Sequence, residues 1–356
     1  MTNPVRTYKV ETRTNLSVAA LVVFAVLIAI GFILPAFAPR NVIQNLFFIL
    51  TMLTLAQFWN LLAGFGGLVS VGQQAFVGFG AYAMFAAVIL LGMNPIPAIL
   101  VAGFASLALA IPTAFFAFRL QGAYFAIGTW VIAEVTRLLL SQWKALGGGT
   151  GNSLPREATS NIWFVDQIAA LFGVREAAAR DILALWLALL LATLTIAGIY
   201  WLLRTRRGLA LAAVRDNMEA ARSVGVDADR MKWFVYLVTA FGTGLTGALI
   251  YVQKARISPD AAFSVTDWTA YVIFIVVIGG IGTLEGPIIG VILFFILQNL
   301  LSDFGSWYLI ALGLIAVVIM LFAPRGVWGL ISERYNISLF PLRRRLVVSD
   351  QTDRGA

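Results

Sequence analysis

Long apolar runs constrain this chain more than any other feature of its sequence. The run Leu16–Leu34 contains no charged residue, and runs of similar character recur to near residue 323. About 20 residues of helix, at a rise of 1.5 Å each, cross the hydrocarbon core of a bilayer. Because the runs lack the periodicity of half-buried helices or strands, they favour lipid-embedded helices. We predict an all-α integral membrane protein, a bundle of about ten transmembrane helices with room for broken or re-entrant segments.

The overall composition agrees with this class. Hydrophobic residues make up 60% of the chain, compared with roughly 45–50% in soluble domains. The 25 Lys and Arg and the 17 Asp and Glu mostly cluster at the termini and in one central segment. The net charge of +8 is therefore better explained by membrane topology than by a polyanionic partner, and we expect no nucleic-acid binding.

Ten spans are predicted from the apolar runs, with eight or nine as alternatives. The predicted spans are residues 16–34, 42–63, 74–92, 96–118, 122–142, 182–203, 233–253, 268–282, 286–301 and 306–323. The first run is followed by Ala36-Phe37-Ala38, which imitates a signal-peptide cleavage site. Because the run is longer than the roughly 7–15 apolar residues of a signal peptide, we expect a retained helix.

Positive charges set the expected orientation. With ten spans and a cytoplasmic N-terminus, 17 of the 25 Lys and Arg fall on the cytoplasmic side, in agreement with the positive-inside rule. Residues 1–15 and 324–356 are then cytoplasmic tails, the second with a short helix followed by disorder. Residues 16–323 form the transmembrane domain, with an internal segment at 204–232 and an external segment at 143–181.

The residue types present exclude several kinds of chemistry. The chain has no Cys and no His, so it offers no thiolate nucleophile, no imidazole base and none of the usual zinc ligands. No G-x-x-x-x-G-K-[ST] phosphate loop occurs, and the Gly-rich run 147–151 lacks the lysine of such a loop. We expect no catalytic residue, no metal and no cofactor, and we expect any ATP hydrolysis to occur in another subunit.

Glycine and proline interrupt the apolar pattern in two places. The short runs 268–282 and 286–301 are separated by the Gly-rich segment 279–287. This pattern is typical of broken helices that line a cavity in transporters, and equally of a tight turn between two tilted helices. The segment 64–73 is predicted to be a re-entrant lead into the third span.

Glu134 is the one carboxylate that lies well inside a predicted span, which makes it a candidate for function. Arg137 follows three residues later on the same helical face. The two side chains either neutralise each other near the outer interface or take part directly in substrate movement or gating.

Three polar residues, Ser70, Gln73 and Gln74, lie in the lead into the third span. They either bind a zwitterionic solute or cap the helix that begins near Gln73. Tyr82 follows a segment of small residues that favours close helix packing. Our candidates for the translocation pathway are Ser70, Gln73, Gln74, Tyr82, Glu134 and Arg137.

The central internal segment is predicted to be helical from Leu209 to Val224, because it is rich in alanine. Arg215 and Glu219 are spaced i,i+4, and Glu219 and Arg222 are spaced i,i+3, so each pair would lie on one face. Gly225 is the type of residue that ends a helix. Such a helix suits a contact with a soluble motor subunit, and it equally suits a solvated connector.

A series of motifs occurs in order along the chain. They are Asn60 through Gly64, Gly67 through Phe76, Gly78 through Tyr82, Tyr124 through Ile127 with Glu134, Gly148 through Gly151, Arg207-Gly208 through Arg215-Asp216-Asn217 and Ala220-Ala221 to Gly225-Val226, Ile257 through Pro259, Gly279 through Pro287, and Pro324 through Gly326. In these motifs the chain resembles LivM-type permeases of ATP-binding-cassette importers for branched-chain amino acids. The resemblance covers roughly residues 40–330, and the segment 208–225 resembles the coupling loop of that family.

The resemblance implies a permease subunit that works by alternating access in the inner membrane of a bacterium. Its implied partners are a LivH-like second permease, two cytoplasmic ATPase subunits, an extracytoplasmic solute-binding protein and the lipid bilayer. The solute would be a branched-chain amino acid or a related small molecule, since members of the family also serve urea, short amides and aromatic acids. The ATPase-coupling residues implied are Gly208, Arg215, Asp216, Asn217, Glu219, Ala221 and Gly225.

Two other functions are weighed against this one. An ion-coupled secondary transporter would use Glu134 as a proton carrier, but such relays usually need several buried ionisable groups. A membrane-embedded enzyme would need a catalytic constellation, and without Cys, His or a carboxylate cluster none can be assembled.

Overall fold

The computed structural model describes residues 6–11, 15–301, 304–305, 307–335, 337, 339–341 and 345–350. Most of these residues are helical and very few are in strands, which confirms the prediction of an all-α membrane bundle. The apolar helices are α1 (Asn15–Ile33), α2 (Arg40–Asn60), α3 (Gln73–Leu91), α4 (Pro95–Ala117), α5 (Ala123–Ser141), α8 (Glu176–Leu203), α11 (Ala228–Lys254), α13 (Tyr271–Gly279), α14 (Gly286–Leu301) and α15 (Trp307–Phe322).

Shorter elements connect these helices. They are α6 (Arg156–Ser160), α7 (Val165–Phe172), α9 (Arg206–Asp216), α10 (Met218–Ser223), α12 (Pro259–Ala262) and α16 (Gly326–Tyr335), with strands β1 (Arg6–Glu11), β2 (Asn152–Ser153), β3 (Arg256–Ile257) and β4 (Arg345–Asp350). Two π-helical segments, Leu61–Phe65 and Thr266–Ala270, follow α2 and precede α13.

Each of the ten predicted spans contains a helix. Within the described residues, nine helical segments are long and apolar enough to cross a membrane, and Gly286–Leu301 is a shorter apolar helix. α8 begins at Glu176, so the helix extends six residues beyond the predicted span 182–203 into the segment predicted to be external. In the second tail, α16 confirms the short helix, but β4 pairs antiparallel with β1 where disorder was expected.

The centre of the bundle consists of α2, α3 and α11, and α4 packs against α3 and α11. Small residues let these backbones approach closely: a Cβ added at Gly80 would overlap the carbonyl oxygen of Gly244, and one added at Gly247 would overlap that of Val77. The first and last of the apolar helices, α1 and α15, lie at the periphery and expose most of their apolar side chains. Their exposed faces suit contact with lipid.

The connections sort into two groups at opposite ends of the bundle. At one end, Arg215 lies against Gly64 and Gly282, and Gly280 lies against Arg325; we call this the Arg215 end. At the other end, Arg40 pairs with Asp181, and β2 pairs with β3. The side-chain amide of Asn94 donates to the Asn161 backbone carbonyl at 2.6 Å. We call this the Asp181 end. This grouping is the one that ten alternating spans require.

The Gly80 contact generates a prediction about stability. Gly80→Ala should lower the melting temperature of the purified protein, because the new methyl group would push α3 away from α11. Gly198→Ala is the matched control, since no atom lies within 4 Å of a Cβ placed there. In the control we expect no loss, because alanine favours a helix over glycine by about 1 kcal/mol. Equal melting temperatures for the two variants would contradict the packing account.

Candidate functional site

The chain leaves helical geometry inside the bundle after α2. The π-helical turn Leu61–Phe65 is followed by non-helical backbone that ends only at Gln73, where α3 begins. The side-chain amide of Gln73 donates to the Leu55 backbone carbonyl at 3.0 Å. Leu55 precedes Phe65 by ten residues, or about 15 Å of helix, so α3 begins deep within the bundle. The geometry agrees with the predicted re-entrant lead.

Side chains from two helices and from the lead itself satisfy the backbone of this re-entrant lead. The Trp59 indole donates to the Ser70 carbonyl at 2.8 Å, and the Thr129 hydroxyl accepts from the Val71 amide at 3.1 Å. The Ser70 hydroxyl accepts from the Gly72 backbone amide at 3.1 Å and so closes a local turn just before α3, which has no side-chain cap. Irregular backbone at membrane depth is tolerated only when such partners are available.

A second interruption lies between α13 and α14. The buried side chain of Asn60 accepts from the Gly282 amide and donates to the Thr283 carbonyl, each at 2.8 Å. The side-chain amide of Gln57 donates to the Leu284 backbone carbonyl, also at 2.8 Å. Gly282 has a φ of +75°, a conformation that glycine adopts without cost. Two carboxamides on α2 therefore hold the turn 280–285 in place.

Of the two alternatives for residues 268–301, the structure has the tight turn, and a cavity lined by broken helices stays a prediction. A tight turn joins α13 to α14, as one of them required. The preceding span, Pro259–Gly279, is also broken, but upstream of the predicted position, between α12 and the π-helical segment Thr266–Ala270. Gln74 ties this π-helical segment to α3, since the Thr269 hydroxyl donates to its side-chain oxygen and accepts from its backbone amide.

Arg215 joins the internal segment to both interruptions. Its Nη1 donates to the Gly64 carbonyl at 3.2 Å, and a Cβ added at Gly282 would lie 3.5 Å from the same nitrogen. A Cβ added at Gly67 would lie 3.5 Å from Arg215 Cγ. The guanidinium also pairs with Asp216 at 2.8 Å. One side chain of the internal segment therefore contacts the π-helical turn, the re-entrant lead and the turn 280–285.

The internal segment is two helices, and the prediction of one helix from Leu209 to Val224 was wrong. Asn217 is extended, with φ −158° and ψ 108°, and its side chain accepts from the Ala220 amide as the N-cap of α10. An Asn side chain competes well for backbone amides, and this favours a cap over a helix interior. Ala221, a residue of α10, is buried against Val214 of α9.

The ion pairs expected within that single helix are also absent. Arg215 pairs with Asp216, and Arg222 pairs with Asp229 at 3.0 Å, whereas Glu219 is exposed. Gly225 confirms the predicted helix end, with a φ of +84° and an amide that donates to the Arg222 carbonyl. Gly208 is packed against the backbone of Leu203, where a Cβ would overlap.

Glu134 and Arg137 form the expected ion pair, at 2.6 Å, near the Asp181 end of α5. Arg137 also pairs with Asp260 of α12 at 2.7 Å, a partner that sequence reasoning missed. The Glu134 side chain is 44% exposed, so its position well inside a predicted span does not bury it in this chain. The buried carboxylates are instead Asp181 and Glu285, with 6% and 7% exposure.

The remaining pathway candidates lie between helices. Ser70, Gln73, Gln74 and Tyr82 are all buried, and the Gln73 side-chain oxygen and the Tyr82 hydroxyl have no hydrogen-bond partner among the described residues. Their role in translocation stays a prediction. Sequence reasoning missed Gln57 and Asn60; the signal for them is two carboxamides spaced i,i+3 in an otherwise apolar span.

A multi-pass bundle, with interrupted helices tied to an exposed helical segment at one end, defines a membrane transport protein of the permease type. The family model described as "Branched-chain amino acid transport system / permease component" matches residues 41–324. The chain belongs to this family.

Three relatives place the chain within a wider group. It is 29% identical to the high-affinity branched-chain amino acid permease LivM of Salmonella typhimurium, over 83% of this chain and 77% of that protein. It is 28% identical to a probable branched-chain amino acid permease LivH of Methanocaldococcus jannaschii, over 38% and 45%. It is 26% identical to the xylose permease XylH of Escherichia coli, over 32% and 30%.

The Asn60 bridge predicts a large loss of stability on substitution. Asn60→Leu should strand the Gly282 amide and the Thr283 carbonyl, at about 1–3 kcal/mol for each buried group. Asn41→Leu, on the same helix, is the control, because that exposed side chain accepts only from the adjacent Val42 amide. Melting of the purified variants measures the difference. A control as damaged as Asn60→Leu would contradict the bridge.

Glu285 predicts a pH dependence. Burial raises the pKa of this carboxyl above its usual value, and the backbone amide of Phe340, which donates at 2.9 Å, offsets only part of that shift. The folded state therefore binds the proton more tightly than the unfolded state, so stability falls as the pH rises from the unfolded-state pKa of about 4.3 and levels off above the raised pKa. Glu285→Gln should raise the melting temperature above the raised pKa and remove the fall in melting temperature between the two pKa values. An unchanged profile would contradict this assignment.

Proposed function

We propose that the chain is a membrane-spanning permease subunit of an ATP-binding-cassette importer, and that it moves branched-chain amino acids by alternating access. In this proposal, residues 16–323 are the permease domain. Its partners are a LivH-like second permease, two cytoplasmic ATPase subunits and an extracytoplasmic solute-binding protein. The complex lies in a bacterial inner membrane, with residues 1–15 and 324–356 as cytoplasmic tails.

The contact of Arg215 with the two helix interruptions carries this proposal. A subunit driven by a separate motor needs an exposed element that the motor grips and a rigid connection from that element into the membrane. The segment 206–225 has the first property, since Leu209 and Val224 are 73% and 76% exposed although apolar. The hydrogen bond from Arg215 to Gly64 supplies the second.

Charge and the sequence similarity support the rest. The Arg215 end carries the seven basic residues of 204–232, which favours a cytoplasmic location for that end. The sequence holds no phosphate loop, so hydrolysis belongs to partners. The match to LivM covers most of both chains, whereas the match to XylH covers about a third of each, and this favours an amino acid over a sugar.

Two proline substitutions in the segment 206–225, which we call the coupling segment, test the proposal. Ala212→Pro should break the interior of α9, at about 3 kcal/mol or more, without touching a predicted span. Met218→Pro is the matched control, because it places proline at the first residue of α10, after an extended Asn217. In vesicles that hold the assembled complex, Ala212→Pro should lose solute-stimulated ATP hydrolysis and leucine uptake, and Met218→Pro should retain both.

Capture of the ATPase subunits by the Ala212→Pro variant shows whether it fails because these subunits no longer bind or because the permease no longer inserts. Loss of capture together with normal membrane insertion supports the coupling role of α9. Normal capture, uptake and hydrolysis in Ala212→Pro would overturn the role and return the segment to a solvated connector.

A further inference from the structure

Two opposite charges lie within electrostatic range of each other near the Asp181 end. Lys254 is the last residue of α11, and Asp267 lies in the π-helical segment Thr266–Ala270. They are close enough to interact electrostatically, yet no ion pair between them occurs within the part of the chain that the structure describes. Lys254 is exposed and Asp267 is half-buried, so both charged groups are open to a ligand from the Asp181 end.

Aromatic rings hold the lysine in place. Its ammonium lies 5.3 Å from the ring centroid of Tyr251 and 4.9 Å from that of Trp268. A cation–π contact attracts the ammonium but leaves its three N–H groups free to donate. Trp268 is fixed in turn, because it is buried and its indole donates to the Ala261 carbonyl at 2.8 Å.

Two buried hydroxyls beside these groups have no hydrogen-bond partner among the described residues, and the Trp268 indole lies close to one of them, that of Tyr251. They belong to Tyr82 and Tyr251, each about 1% exposed, and they are close enough to each other to interact electrostatically. Asp267 also lies within electrostatic range of Tyr251. A buried hydroxyl without a partner is costly, and native structures keep such groups chiefly where a water or a ligand completes them.

The backbone beneath Asp267 is irregular. A π-helical turn inserts an extra residue into a helix, and such turns are frequent at functional sites. Here the turn is tied to the start of α3 through Thr269 and Gln74, so a movement of α3 reaches Asp267 directly.

We propose that Lys254, Asp267 and the hydroxyls of Tyr82 and Tyr251 form a binding site for the zwitterion of an α-amino acid. The Asp267 carboxylate receives the α-ammonium group, and the Lys254 ammonium receives the α-carboxylate. The rings of Trp268 and Tyr251 border the site beside the Lys254 ammonium. The site rests on the proposed function, which it deepens by assigning residues and a charge pattern to the solute.

A simpler explanation gives each charge a local role. Lys254 would extend to the membrane surface, and Asp267 would stabilise the N-terminal end of the helical segment that continues into α13. That explanation predicts no response to an amino acid, and in particular no discrimination between an acid and its amide.

A cysteine-protection experiment separates the two explanations, and the chain has no native cysteine to interfere. Val265→Cys places a thiol on a 37% exposed residue two positions before Asp267. In the assembled complex, leucine should slow modification of this thiol by a charged methanethiosulfonate reagent by fivefold or more. Leucinamide, which lacks the carboxylate, should protect weakly, and adding Lys254→Met should abolish protection by leucine.

Transport provides the second measurement. Lys254→Met and Asp267→Asn should each reduce leucine uptake at least tenfold in vesicles with the loaded binding protein. Lys144→Met, at an exposed lysine of the Asp181 end, should leave uptake unchanged. If either charge variant fails to assemble, the protection assay on the otherwise unaltered chain decides.

The outcomes distinguish the site from the proposed function. A complex with unaltered permease that does not accumulate leucine would overturn the import function. Normal import, together with equal protection by leucine and leucinamide or with near-normal uptake in both charge variants, would overturn the site alone.

Discussion

Backbone polar groups inside a bilayer have no water to bond, so an interrupted helix must find its partners in the protein. In this chain α2 supplies them. Gln57 and Asn60 hold the turn 280–285, and Trp59 holds the re-entrant lead into α3. The architecture at the Arg215 end depends on these bonds, because without them two stretches of irregular backbone would be unsatisfied.

The same bonds make the interruptions mechanically useful. Arg215 contacts Gly64, which packs against Gly282, and Asn60 joins Gly282 to α2. The start of α3 is joined to α2 through Gln73, and to the π-helical segment 266–270 through Gln74. A displacement of α9 therefore has a continuous path of hydrogen bonds and packed backbone to Asp267, which we infer receives the solute. Such a path is a physical basis for coupling only if its elements move together.

Much of the fold follows from the sequence, and the exceptions have identifiable causes. The ten helices were predictable because long apolar runs have few alternatives in a bilayer. The break at Asn217 was missed because alanine content favoured one helix, while a single Asn supplied a cap that outweighed it.

The candidate site was less predictable, because its key contacts join residues far apart in the chain. Asn60 bonds Gly282 across 222 positions, and Arg137 bonds Asp260 across 123. The sequence signals the polar residues themselves but not their partners. Glu134 lies far from the ends of its predicted span, which suggested that it is buried. The side of α5 that carries Glu134 is only partly covered by other helices of this chain, so the carboxylate is partly exposed.

The most direct test measures whether the coupling segment and the turn 280–285 move as one body. Spin labels attached to cysteines at Leu209, Ile281 and Trp163, all exposed positions, report pairwise distances in the assembled complex with and without a bound ATP analogue. The account predicts that the Leu209–Ile281 distance stays constant while the distance from each to Trp163, at the Asp181 end, changes on nucleotide binding. A change in Leu209–Ile281 while Ile281–Trp163 stays constant would contradict it, since the coupling segment would then move without the helix interruptions.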